Sequence, residues 1–394
     1  MACMPEDNRI RALQFLVSDV RSGAEEVALE LVRGLDPKRF RSYLVCPAPL
    51  LEAFGKDWQV GDAMALPLAL QTPWQFGAVR RFIGYLRSEK IDVVHAHMIR
   101  AAAIAVPLAR LAGVPVVLHT CHGREAWRQG WLSRRYWYDR RITGWSQATI
   151  AVSKSTREFL LKEKGLDPEK VMVIRNGRRL DDFVSDPERQ QRLRRELGIG
   201  SEDPVVGVFG RLEEQKGHRY LIEALPTVLA RVPGVKVLFV GEGSLRNELE
   251  SSVRALGLTG CVYFLGYRRD WTHWMDLSDV VALPSLYEGM PLVPIEAAAM
   301  GKPVLATAVD GTCEVVVHGQ TGLLVPPARP KELAEALITL LENPEQRRAL
   351  AEGGWQRARA LFSLEQQIEA TAALYEGLLE ERQAHRAGRA VALS

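Results

Sequence analysis

The chain has 394 residues, more than one compact core ordinarily holds and suited to two domains of ordinary size. Hydrophobic residues make up 47% and charged residues 25%, which excludes a disordered or collagen-like chain. The formal charge of +3 is too small for a dedicated nucleic-acid binder, although it leaves room for local basic patches.

In the first half, short apolar runs read as strands at Ala12–Val17, Ser42–Cys46, Val93–His95, Pro115–Leu118, Thr149–Val152 and Val171–Ile174. Helical periodicity lies between them at Ala24–Gly34, Phe76–Glu89, Arg100–Leu111 and Ser155–Lys164. A polar, highly charged stretch from Arg178 to Asp203, carrying Pro187, reads as the boundary between domains. In the second half the strands are Val205–Phe209, Lys236–Val240, Val262–Leu265, Val280–Leu283, Pro303–Ala306 and Gly322–Leu324. The helices are His218–Arg231, Ser244–Leu256, Pro291–Met300 and Lys331–Leu341. Strand–helix alternation throughout predicts an α/β protein of two doubly wound parallel sheets, with function in the loops at the carboxyl ends of strands. The expected domains are 1–177, a linker region 178–203, a second domain 204–360, and a C-terminal helix 361–385 packing back toward the first.

The cysteines, Cys3, Cys46, Cys121, Cys261 and Cys313, are scattered and odd in number, which suits reduced thiols and gives no metal knuckle. The start, Met1 to Asp7, has neither a basic nor an apolar leader region, so a cytoplasmic location is expected. The most apolar stretch, Ala101 to Leu118, is broken by Pro107, Arg110, Gly113 and Pro115 and reads as helix, turn and strand rather than a membrane span.

The most informative segment runs from Pro284 to Ala298. A strand ends at Leu283, a turn carries Glu288 and Gly289, and a helix opens near Pro291. Amides of Met290, Leu292 and Val293 then face an anion at the positive end of the helix. Glu288 lies before that anion site and Glu296 beyond it, about 7.5 Å further along the axis from Pro291. Two carboxylates so placed can hold hydroxyls on either side of a diphosphate, one on a sugar and one on a ribose. Alone, they read as a solvated loop residue and a helix-surface residue, and the surrounding residues change that. A second segment, Gly207 to Gly217, ends a strand with two cations, Arg211 and Lys216. Fixed cations stabilise the charge that develops on a departing diphosphate. A third, Val240-Gly241-Glu242-Gly243, has two glycines of a dinucleotide fingerprint but Arg246 where the third would stand, and indicates only a tight turn.

Taken together, Gly210-Arg211 with Lys216-Gly217, Val240 to Gly243, Pro284-Ser285, and Glu288 with Glu296 resemble the retaining GT-B glycosyltransferases of family 4. Asn176-Gly177, Gly301 to Val304 and Thr321 to Val325 add to the resemblance, which runs over roughly residues 12 to 380. It implies two Rossmann-like domains with a donor in the cleft between them. It implies Arg211 and Lys216 on the donor diphosphate, Glu296 on the ribose hydroxyls, Glu288 facing the transferred sugar, and Tyr267, after Gly266, near the nucleobase. The alternative reading of Gly266-Tyr267 is a turn beside a core tyrosine. The segment Asp310-Gly311-Thr312-Cys313-Glu314 departs from the family's usual pair of glycines.

In the first half, Arg21-Ser22-Gly23 resembles the family's glycine loop near the donor phosphate, with Ser22 where a second glycine is usual. Four of the eight histidines, His95, His97, His119 and His122, lie close together. No HExxH motif or cysteine pair accompanies them, so roles in the core or behind the site suit His95, His97 and His119 better than zinc ligation. The resemblance makes His122, before Gly123, the histidine that faces the transferred sugar. No Asp-x-Asp occurs in the chain, so no metal is expected to be required.

Trp127, Trp131, Tyr138 and Trp145 fall within about 40° of one another on a helical wheel. Arg124, Arg128, Arg134, Arg135 and Arg141 flank them, a pattern that suits an interfacial helix on anionic lipid as well as packing on the parent domain. The expected function is a retaining, metal-independent glycosyl transfer from a nucleotide sugar to a glycan, lipid-linked or small-molecule acceptor, in the cytoplasm or peripherally on the inner face of its membrane. The alternatives are a catalytically silent nucleotide-sugar-binding subunit and an epimerase or phosphorylase on the same architecture.

Overall fold

A computed structural model describes residues 7–124 and 136–393. The chain divides into two compact units, residues 1–176 with 365–394, and residues 177–364.

In the first unit the helices and strands alternate as β1 (Ile10–Phe15), α1 (Gly23–Gly34), β2 (Phe40–Cys46), α2 (Ala48–Phe54), β3 (Met64–Pro67), α3 (Phe76–Ser88), β4 (Val93–His97) and α4 (Met98–Ala112). They continue with β5 (Val116–Cys121), α5 (Trp137–Trp145), β6 (Ala148–Ala151), α6 (Lys154–Lys162) and β7 (Val171–Val173). The seven strands are parallel in the order β3-β2-β1-β4-β5-β6-β7. The strand interiors are near-continuous Val, Leu, Ile and Ala because both faces are covered.

The second unit runs through α7 (Pro187–Leu197), β8 (Val205–Phe209), α8 (His218–Arg231), β9 (Lys236–Val240), α9 (Arg246–Ala255), β10 (Val262–Gly266), α10 (Trp271–Leu277) and β11 (Val280–Leu283). It closes with α11 (Leu292–Ala299), β12 (Val304–Thr307), α12 (Thr312–Val315), β13 (Gly322–Val325), α13 (Pro330–Glu342) and α14 (Pro344–Leu361). Six parallel strands take the order β10-β9-β8-β11-β12-β13. The last helix, α15 (Leu364–Leu393), belongs to the first unit. There Ala372 and Tyr375 are buried with Ala12, Val93, Leu118 and Ile150, and Arg39 pairs with Glu369 and Glu376.

Two departures from the sequence reading have clear causes. The stretch 178–203, expected as a linker, carries α7 and lies wholly in the second unit. This helix is polar nearly all round, so periodicity is weak. It is fixed instead by the Asp186 carboxylate capping the Arg189 amide, by buried Leu193, and by the Asp186 amide donating to Asp276 at 2.7 Å. Strand β3 escapes notice because it is four residues long and ends in a proline, which only an edge strand tolerates readily.

Each strand order reverses direction once, between β1 and β4 in the first sheet and between β8 and β11 in the second. At such a switch point the loops leaving adjacent strands part to opposite sides and open a crevice beyond the carboxyl ends.

Candidate active site

In the second unit the β8–β11 switch point carries the residues that the sequence singled out. The loop after β8 presents Arg211 and, one turn of 3-10 helix later, Lys216. The loop after β11 presents Ser285 and Glu288. The two loops are laced together: the Leu286 amide donates to the Gln215 carbonyl at 2.7 Å, and the Gln215 side chain donates to the Tyr287 carbonyl at 3.0 Å. Their approach needs Gly217, which has φ +63° and where a Cβ would stand 2.1 Å from the Pro284 oxygen.

Lys216 Nζ reaches Glu288 Oε1 at 2.6 Å, and the Ser285 hydroxyl donates to the same oxygen at 2.7 Å. Both groups hold one carboxylate oxygen, so Glu288 Oε2 has no partner among the described residues. Glu288 is 7% exposed, and a buried carboxylate is tolerable only because it is paired and hydrogen-bonded in this way. Asp310 fixes the backbone as well: its Oδ2 accepts the Glu288 amide at 3.1 Å. It takes φ +37°, a left-handed conformation that aspartate tolerates better than most side chains. The neighbouring Gly311 is indispensable, since a Cβ there would lie 1.7 Å from the Gly289 oxygen.

Arg211 is exposed and makes no ion pair among the described residues. Burial pushes the Tyr287 phenol up, and the Arg211 charge opposes that shift, which places the guanidinium in electrostatic reach of the Glu288 loop. Helix α11 begins at Leu292 with Pro291 as its N-cap, one residue later than expected. The first-turn amides of Leu292 and Val293 therefore have no carbonyl within the helix, while Pro294 has no N–H to offer. Met290 is buried, and Glu296 is buried one turn into the helix, where Arg178 Nη2 contacts its Oε1 at 2.6 Å. Arg178 had no signal in the sequence beyond its charge. Tyr267, after the left-handed Gly266 at the end of β10, is 57% exposed, so the core-tyrosine reading does not hold.

The first unit builds a different kind of cluster at its own switch point. Gln14 on β1 lies in register with His95 on β4, and His97 lies opposite Thr120 on β5. Strand alternation puts all four on the sheet face that α15 covers through Tyr375. His119 points to the other face. Its Nδ1 has no partner, and burial, with some help from Lys164, lowers its pKa to about 4. His122 follows β5, with its Nε2 3.2 Å from His97 Nδ1 and the rings stacked. Burial lowers its pKa to about 3 and holds His95 and His97 well below the usual histidine range. Met98, directly after His97, holds φ +71°, a strain of about 1–2 kcal/mol that concentrates where function shapes a backbone. Gly23 is exposed as the first residue of α1, with Ser22 as N-cap.

Trp127, Trp131, Arg128, Arg134 and Arg135 lie outside the described residues. Tyr138 and Trp145 both fall on α5 and are 39% and 49% exposed, with Trp137 at 57%. Among the described residues no helix is long and apolar enough to cross a membrane.

Two parallel-sheet units of this strand order are the architecture of the GT-B fold. Residues 189–357 match the family described as glycosyl transferases group 1, and residues 21–182 match Glycosyltransferase Family 4. The chain belongs to this family and is a glycosyltransferase.

Among its relatives is an Escherichia coli UDP-Gal:alpha-D-GlcNAc-diphosphoundecaprenol alpha-1,3-galactosyltransferase, 28% identical over 81% of this chain and 84% of the relative. Another is a Corynebacterium urealyticum D-inositol 3-phosphate glycosyltransferase, 33% identical over 73% of this chain and 72% of the relative. The crystal structure of Anabaena HepE in complex with UDP and glucose superposes with a TM-score of 0.83 at 23% identity, over 94% of this chain and all of that one, and shows the shared fold.

Proposed function

We propose that the enzyme transfers a hexose from a nucleoside-diphosphate sugar to an acceptor hydroxyl with retention at the anomeric carbon and without a metal ion. The bond from the anomeric carbon to the diphosphate oxygen breaks, and the acceptor oxygen bonds the same face of that carbon. The acceptor proton passes to the departing phosphate. Arg211, Lys216 and the amides of Leu292 and Val293 take up the charge on the leaving group, which is where fixed positive charge lowers a barrier most. Glu288, through its free oxygen, binds a hydroxyl of the transferred sugar; Glu296 binds the ribose and Tyr267 lies against the base. Met290 shapes the turn between them, and Gly23 lets backbone approach the phosphate. His122 polarises the transferred sugar.

The observation that carries this reading is the Lys216–Glu288–Ser285 group beside the start of α11. It places a cation, a half-free carboxylate and a helix N-terminus at one switch point. Related proteins bind UDP and glucose or use UDP-Gal, which favours a uridine diphosphate donor here. The acceptor is a hydroxyl of a glycan, a lipid-linked glycan or a small molecule. Exposed Trp137, Tyr138 and Trp145 suit a peripheral contact of the 124–145 segment with the cytoplasmic face of a membrane.

The test is a transfer assay with UDP-, GDP- and ADP-sugars in EDTA, with the product anomer read by NMR. Transfer with the donor's anomeric configuration kept, and undiminished by EDTA, is the expected result. Inversion would remove the retaining mechanism, and abolition by EDTA would remove metal independence.

A further inference from the structure

The buried polar row in the first unit is a single hydrogen-bonded chain with a direction. Gln14 Nε2 donates to the Tyr375 hydroxyl at 3.1 Å, so its Oε1 is left as an acceptor and lies 2.9 Å from His97 Nε2. An amide oxygen cannot donate, so His97 carries its proton on Nε2. Burial keeps His97 neutral, which leaves its Nδ1 as a bare lone pair. That lone pair faces His122 Nε2 at 3.2 Å, so His122 donates from Nε2. With His122 also neutral, its Nδ1 is the unprotonated nitrogen. At the other end the Tyr375 hydroxyl, having accepted from Gln14, donates to His95 Nδ1 at 2.6 Å, and His95 Nε2–H donates to Thr120 at 2.6 Å. Every proton in the row follows from the orientation of one amide.

We infer that Gln14, anchored by Tyr375, is a positioning residue that acts through His97 to fix the tautomer of His122, so that His122 offers Nδ1 as a hydrogen-bond acceptor to a hydroxyl of the transferred sugar. This rests on the reading that His122 faces that sugar. The arrangement does what a lone imidazole in water does not: it excludes the tautomer that would present a donor. A donor imidazole could not accept the sugar hydroxyl's proton in a hydrogen bond. Tyr375 comes from α15, so the C-terminal helix sets the polarity of the histidine that follows β5 without reaching the substrate.

The experiment labels histidine ring nitrogens in the full-length protein and reads the tautomer of His122 by correlation with its carbon-bound protons. In the wild type His122 is expected as the Nε2–H form. In Gln14→Met, which removes the acceptor, the two tautomers are expected to mix. With the donor substrate kcat then falls about tenfold, the weight of one misdirected hydrogen bond, while the donor KM changes little. A purely structural role for Gln14 would lower stability or donor KM without moving the His122 tautomer. If Gln14→Met does not fold, Tyr375→Phe loosens the amide from its anchor and is expected to shift the tautomer in the same direction. An Nδ1–H form of His122 in the wild type, or an unchanged tautomer in whichever variants fold, overturns the inference. A His122→Ala variant with undiminished kcat would instead overturn the assignment of His122 to the sugar, whatever its tautomer.

Discussion

At the ends of β8 and β11 the second unit gathers Arg211, Lys216 and Glu288, with Glu296 one turn into the helix that follows. At the ends of β1, β4 and β5 the first unit gathers Gln14, His95, His97 and His122, all neutral at physiological pH. Both sets sit at the reversal of a parallel sheet, so topology decided where each lies. It did not decide the chemistry. In the second unit, carboxylates keep their charge through ion pairs with Lys216 and Arg178. In the first, full burial keeps the histidines neutral, and only the direction of their hydrogen bonds distinguishes them. The two regions should therefore fail in different ways when perturbed.

The largest effect is expected at Lys216, the partner of Glu288 and, in the proposed mechanism, a cation for the leaving group. Lys216→Met should lower the transfer rate by about 100- to 1,000-fold, as loss of one charge-stabilising group does. It also strands a buried carboxylate, so thermal unfolding should report a loss of about 3 kcal/mol. Arg211 separates the two roles. It is exposed and unpaired among the described residues, so Arg211→Ala should cost turnover about 10- to 100-fold while changing stability by less than about 0.5 kcal/mol. A comparable stability loss in both variants would erase the distinction between them.

Acid should break the first unit before the second. His95, His97, His119 and His122 are buried and neutral there, against His218 alone among the strongly lowered histidines of the second. Each has a folded pKa below its unfolded value of 6.5, so below that pH the unfolded chain binds a proton that the folded chain refuses. Stability is thus level above about pH 7 and falls as pH drops below 6.5. Hydrogen exchange at pH 5 and pH 7, corrected for intrinsic rates, should show β4 and β5 losing protection ahead of β8 and β9. The smallest effect is expected at Asp310→Gly, which removes the hydrogen bond to the Glu288 amide but relieves a left-handed backbone. These terms nearly cancel, so stability should move by less than about 1 kcal/mol, with a modest rise in donor KM as Glu288 loosens.

How far the sequence could be read follows the same contrast. The strands of the second sheet were legible almost to the residue, because buried parallel strands are short apolar runs bounded by glycine and charge. Glu288, Glu296, Arg211 and Lys216 were legible because each stands in a motif next to a strand end. Their partners were not. Arg178 meets Glu296 across 118 positions of chain, and nothing local marks it. In the first unit Gln14 did leave a trace, as a polar residue inside the apolar strand Ile10–Phe15, and could have been asked for its partner. Tyr375 left none: it lies on a long helix of weak periodicity, 361 positions from the amide that it anchors. Helix α7 was hidden for the opposite reason, since its polar surface looks like a linker until its cap and its one buried leucine are seen.

In the proposed mechanism the loops after β8 and β11 hold a nucleoside diphosphate without a metal. Isothermal titration of UDP, GDP and ADP into the wild type and Glu296→Ala, all in EDTA, tests it most directly. The wild type is expected to bind one nucleotide saturably, UDP foremost, and the variant to bind it about tenfold or more weakly through loss of the ribose contact. Binding of equal strength in both proteins, or no binding of any of the three at millimolar concentration, would contradict it.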